Sequence, residues 1–249
     1  MAGHSKWANI QHKKKKVDAK RGKVFTKIIR LITVAARMGG ADPASNPRLR
    51  EAVIKAKAAN MPNDNIDRAI KKGAGDADGS VMEEITYEGY GAGGVAMMVE
   101  CLTDNRNRTV AEVRHAFSKS GGNLGTDGSV AYLFSKQGQM SFAKGADEEK
   151  IMEVGLECGA DDIINNDDGT IDVTVAPEHF ADLKEAFEKQ QLETEYADIS
   201  MVAATNITVD KDTAEKVLRL QDILEDLDDV QNVYSNADIA DDILASLEK

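Results

Sequence analysis

Cations carry most of the chemistry that this sequence could perform, and they are gathered at one end. His4, Lys6, Trp7 and His12 precede the run Lys13-Lys14-Lys15-Lys16, and Lys20, Lys23, Lys27, Arg30 and Arg37 follow. At 100° per residue, Lys16, Lys20, Lys23, Lys27, Arg30 and Arg37 share a helical arc of about 100°. Val17, Val24, Phe25, Ile28, Ile32 and Ala35 lie on the other side. One face of a single sign matches a phosphate backbone and gains affinity by releasing its counterions. A solvated helix face would mix both signs, whereas Asp18 is nearly alone among these cations. Nucleic-acid contact is therefore expected at Lys6, Lys13, Lys14, Lys16, Lys20, Lys23, Lys27, Arg30 and Arg37, with His4, Trp7 and His12 available to stack or hydrogen-bond.

A second cationic group stands at Asp104-Asn105-Arg106-Asn107-Arg108-Thr109, a strand-to-helix junction, with Arg114 farther along the same helix. Asp104 or Asn105 can cap that helix. Arginines at a helix start oppose the macrodipole, so Arg106, Arg108 and Arg114 are expected to meet an external anion or a partner.

Other constellations fail on order or spacing. The stretch Gly121-Gly122-Asn123-Leu124-Gly125-Thr126-Asp127-Gly128-Ser129 follows a helix and enters a strand, the reverse of a phosphate loop. The four histidines are scattered, and no Cys or His pair has metal-ligand spacing. Neither a cofactor nor a catalytic centre is expected. Asn165-Asn166-Asp167-Asp168-Gly169 reads as a hairpin turn and not as a calcium loop. Cys101 and Cys158 each sit in apolar surroundings and read as small buried hydrophobes in a reducing compartment. The acidic patch Glu225-Asp226-Leu227-Asp228-Asp229 reads as a solvated face.

Charge is distributed unevenly over the chain. Residues 1–75 hold 12 lysines and 6 arginines against 5 acidic residues. The remainder holds 13 basic and 38 acidic residues, and the whole carries a net charge of −12. Such polarity points to a polyanion-binding head on an acidic body. The 249 residues suffice for two or three domains. No apolar run approaches the ~20 residues that span a bilayer, and the start lacks the apolar core of a secretory signal. The expectation is a cytoplasmic protein without a membrane partner, either a monomer or a weak dimer.

The elements that must position these residues follow from periodicity. A helix over 13–38 ends at Gly39-Gly40; a second runs over 46–60 and a third over 63–72. Residues 73–80 are a linker by composition. Strands are expected at 83–88 and 95–103 across a glycine-rich turn, then a helix at 106–120 and a strand at 129–134. Within 135–203 the order is strand, helix, strand, strand, helix, strand, the ferredoxin-like split motif. A strand at 205–209, a helix at 212–227 and a strand at 229–235 complete a second such unit around it. The expected fold is therefore α+β and multidomain: a basic three-helix domain at 1–78, a discontinuous α/β domain at 79–134 plus 204–249, and an inserted βαββαβ domain at 135–203. Termini that lie close make such an insertion cheap.

The residues Met1-Ala2-Gly3-His4-Ser5-Lys6-Trp7-Ala8-Asn9-Ile10, Arg21-Gly22-Lys23-Val24-Phe25-Thr26-Lys27-Ile28, Tyr87-Glu88-Gly89-Tyr90-Gly91, 104–109 and 121–129 together closely resemble the YebC/PmpR family. The resemblance covers essentially the whole chain. One departure is Leu31, where the family carries an acidic residue. The resemblance implies a helical head with two α/β domains and a cytoplasmic regulator described as DNA-binding and transcriptional. Its mitochondrial relatives are translational activators, and bacterial members are linked to the ribosome. DNA and ribosomal RNA are thus both expected partners, and a metal-dependent nuclease is the weaker alternative because the acids are dispersed.

Overall fold

A computed structural model describes residues 21–75 and 82–247. The head consists of α1 (Arg21–Gly39), α2 (Pro47–Ala58) and α3 (Asn63–Gly75). Asn46 sets the corner between the first two. Its side chain accepts from the Leu49 amide at 3.1 Å as the N-cap of α2 and donates to the carbonyls of Ala35 and Gly40. Pro47 then supplies a preset first helical residue. Ile28, Ile32, Leu49, Ala52, Met61 and Ile66 close one small core. Gly73 lets α1 and α3 approach, because a Cβ there would overlap the Thr33 carbonyl oxygen.

The outer α/β unit begins with the hairpin β1 (Glu83–Tyr90) and β2 (Ala96–Thr103), paired antiparallel along their whole length. After α4 (Arg106–Lys119) and the short β3 (Asn123–Leu124), the chain leaves this unit. It returns for β8 (Ile207–Thr208), α7 (Lys211–Glu225), β9 (Val230–Ser235), β10 (Ala237–Asp238) and α8 (Asp241–Leu247). The sheet order is β3-β1-β2-β9. Met97, Val99 and Cys101 of β2 join the core with Phe117 and Leu220. Ala96 and Met98 join a second cluster with Val130 and Phe134. Burial on both faces explains why β2 is apolar almost throughout.

The excursion between β3 and β8 builds β4 (Phe134–Phe142), α5 (Glu148–Glu157), β5 (Ala160–Asn165), β6 (Ile171–Val175), α6 (Phe180–Lys189) and β7 (Tyr196–Ala203). Its antiparallel order, β5-β6-β4-β7, is that of the split βαβ motif. Phe142 of β4 and Phe187 of α6 meet edge to face at 4.9 Å in its core.

Thus the α+β class, the helical head and the two strand–helix units are all present. Three local expectations differ. Residues 129–133 form a turn and a short 3-10 helix (Ala131–Leu133) instead of a strand, and β4 starts at once from Phe134. Glu88 explains the turn: its carboxylate accepts from the amides of Gly128, Val130 and Ala131 at 2.7–2.8 Å, which holds the backbone off a ladder. The strand expected at 205–209 shrinks to β8 and pairs only with β10, because β1 already occupies the slot beside β2. Helix α8, unforeseen, buries Leu244 in the outer core.

Candidate functional site: the head-to-body junction

Lys6, Lys13, Lys14, Lys16 and Lys20 lie outside the described residues. The rest of the basic arc does not face solvent as a free surface. Lys23 reaches the Asp226 carbonyl at 3.3 Å and its carboxylate at 3.4 Å. Lys27 donates to the Glu225 carbonyl at 2.7 Å. Arg30 donates through Nη1 to the carbonyls of Leu102 and Asp228 and to Asp229 Oδ1, the last at 2.9 Å. Arg37 is half-buried and is likewise engaged within the chain.

These cations therefore cap α7 from another domain. Glu225 and Asp226 end that helix, where the last carbonyls carry partial negative charge and acidic side chains add to it. Cations from α1 answer both. Burial holds the Lys27 ammonium below its ordinary pKa, with Glu225 and Asp226 partly restoring it.

Asp229 is the centre of the junction, and its side chain is 2% exposed. Besides Arg30, its carboxylate accepts from Thr103 Oγ1 at 3.0 Å, Thr109 Oγ1 at 2.8 Å, and Arg108 Nε and Nη2 at 3.3 and 2.7 Å. Burial opposes its ionisation, but the hydrogen bonds from Arg108, Thr109, Thr103 and Arg30 prevail and hold its pKa below the carboxylate norm. The acidic patch is thus a docking surface at this point and not the solvated face its composition suggests.

Two points about the second cationic group are now resolved. The anion facing Arg108 is internal, Asp229 together with Asp104. The cap is Asn105, whose Oδ1 accepts from the Arg108 amide at 3.1 Å. Arg106 and Arg114 are exposed. Sequence reasoning missed Asp229, Thr103 and Thr109. The available signal was a pair of unanswered surfaces: a helix end crowded with acids, and a helix face crowded with cations.

Cys101 is buried, and burial with the nearby Asp229 pushes its thiol up to about 12. Among the described residues, no three His, Cys, Asp or Glu side chains are grouped so as to hold a metal ion. No helix among them is long and apolar enough to cross a membrane.

Comparison with known proteins places this geometry among relatives. Residues 5–76 match the model described as "TACO1/YebC protein N-terminal domain", and residues 82–237 that described as "TACO1/YebC second and third domain". The chain is 62% identical over 244 residues to a "Probable transcriptional regulatory protein" of Coxiella burnetii, covering 98% of this chain and all of the relative. It is 64% identical over 247 residues to one of Methylococcus capsulatus, covering 99% of this chain and again all of the relative. A crystal structure of a conserved hypothetical protein from Aquifex aeolicus is similar at a TM-score of 0.79 and 50% identity, covering 94% of this chain and 97% of that one.

Proposed function

We propose that this chain, which belongs to the TACO1/YebC family, is a nucleic-acid-binding regulator of gene expression that performs no catalytic step. The names of its relatives support a regulatory role. The observation that carries nucleic-acid binding is the charge segregation: a surplus of 13 positive charges within residues 1–75 against a deficit of 25 in the rest. The cations divide into two groups. Lys23, Lys27 and Arg30 fasten the head to the body. Lys6, Lys13, Lys14, Lys16 and Lys20, together with exposed Arg106 and Arg114, are assigned to phosphates. Phosphate contacts position a protein without specifying sequence. The same surface therefore serves duplex DNA in transcription or ribosomal RNA in translation.

Titration of duplex DNA and of a folded ribosomal RNA fragment at several salt concentrations tests this reading. Each phosphate neutralised contributes a slope of about −0.9 in log affinity against log salt on duplex DNA. Five lysines predict a slope of about −4.5 by that rule. Glutamate at Lys13, Lys14, Lys16 and Lys20 should remove most of it. Binding that is indifferent to salt, or to this quadruple change, would overturn the proposal.

A further inference from the structure

The head answers the body's acids at the end of α7, but not on the inserted unit. Residues 135–203 hold 17 acidic side chains against 5 lysines. Helix α5 carries Glu148, Glu149, Glu153 and Glu157, and β5 adds Asp161 and Asp162, all of them exposed. Among the described residues no cation pairs with any of these six. Lys150 of α5 is turned instead to the Gln190 carbonyl at 2.9 Å, and Lys184 and Lys189 pair with glutamates inside α6. The helix itself explains only part of this charge. Asp147 caps its start by accepting from the Lys150 amide at 3.2 Å, and Glu148 and Glu149 suit that positive end. Glu157 stands at the opposite end, where the dipole disfavours an acid.

The same helix exposes apolar surface. Ile151 and Val154 face the core of the unit, and Gly155 lets Ile163 of β5 approach. Met152 and Leu156 point outward and are 42% and 69% exposed. One turn apart, they form a stripe with Glu149, Glu153 and Glu157 beside it. A single exposed hydrophobic is ordinary, whereas a pair on one helix face within a surface of one sign is a pattern. Among the described residues, α5 packs on α6 and β5 and leaves this outer face uncovered.

We propose that the outer face of α5 is a docking surface for a basic amphipathic helix of another protein. Aliphatic residues of the partner seat on Met152 and Leu156, and its lysines or arginines meet Glu149, Glu153 and Glu157. Methionine suits such a surface, because its unbranched thioether adapts to varied partner shapes. Charge decides the occupant. These carboxylates repel a phosphate backbone, and a second copy laid on the same face would set acid against acid. The inference goes beyond the nucleic-acid reading and does not depend on it, since it gives the body a protein partner of its own.

The probe is a labelled helical peptide of leucine and lysine, about 18 residues long, with leucines along one face. A second peptide replaces its leucines with serine at equal charge. The full chain should bind the leucine peptide, and the serine peptide about tenfold more weakly. Met152→Ser with Leu156→Ser should erase that difference. Glu153→Lys with Glu157→Lys should weaken the leucine peptide by about tenfold or more and remove most of its salt dependence. Both variants should keep the wild-type melting midpoint and the wild-type affinity for nucleic acid, because the four positions are exposed and lie outside the head. Equal binding of the two peptides by the wild type, or a preference that survives Met152→Ser with Leu156→Ser, overturns the proposal, because the face then attracts cations only in a general way. Wild-type dimers in sedimentation that the serine variant abolishes overturn it in favour of a second copy. Loss of nucleic-acid binding in the serine variant assigns the face to nucleic acid and overturns it likewise.

Discussion

Asp229 receives five hydrogen bonds from Arg30, Thr103, Arg108 and Thr109, and its own carbonyl accepts from the Leu102 amide. Removing a partner from a buried ionic network leaves the remaining charges uncompensated, typically at ~3–5 kcal/mol. Asp229→Ala should therefore lower stability by ~3 kcal/mol in urea unfolding, and loss below ~1 kcal/mol would contradict the buried network. The pH dependence has a definite sign. A carboxyl whose folded pKa is depressed stabilises fully above its unfolded value, ~3.9, and loses that contribution as pH falls through the folded value. The gap in melting midpoint between wild type and Asp229→Asn should be widest at neutral pH and narrow below about pH 4. Cys101, with its raised pKa, should resist a thiol reagent in the native state, whereas half-buried Cys158 should be modified first. At this scale the sequence was legible for residues that act locally, such as Asn105 and the buried cysteine. It was not legible for Asp229, whose partners lie on α1, β2 and α4, far apart along the chain. A run of acids looks the same whether water or a distant arginine answers it.

Helices were easier to read than strands because their patterns are local. Helices α2, α5 and α7 begin and end within about two residues of where capping and periodicity put them. Strand pairing depends on what else competes for a slot. The segment at 205–209 has strand composition, yet β1, joined to β2 through the tight turn at Gly91–Gly94, holds the place beside β2. Residues 129–133 failed as a strand because Glu88, some forty residues earlier, binds their amides. Glu88→Ala should leave three amides without that acceptor and destabilise the chain by ~2 kcal/mol, with the 121–133 loop gaining the most in amide hydrogen exchange. Uniform exchange across the outer unit would count against a local role for Glu88. At the helix level, Gly73→Ala forces α1 from α3 against the Thr33 carbonyl and should cost ~1–3 kcal/mol in thermal or urea unfolding. A neutral effect would show that the two helices separate freely.

Over the whole molecule, opposite charge serves two ends. Part of the cationic surplus draws head and body together, Arg30 and Lys27 meeting the end of α7. On the proposed reading, the rest meets phosphates. That division was invisible in the sequence, where one helix wheel makes Lys20 and Lys27 equivalent. It becomes visible only once the body supplies acceptors beneath α1. The modular organisation, by contrast, could be read from the charge asymmetry and from the change of period after residue 81. The most direct test of the central claim is co-sedimentation with ribosomes at near-physiological salt, with duplex DNA as competitor. Two charge-reversed variants would run beside the wild type, one at Lys13, Lys14, Lys16 and Lys20, the other at Lys23, Lys27 and Arg30. The proposed division of cations predicts that the first variant stays folded, with an unchanged melting midpoint, and loses binding to RNA and DNA alike. The second should melt earlier, because its head is no longer fastened. Full binding by the first variant to both nucleic acids would contradict the account.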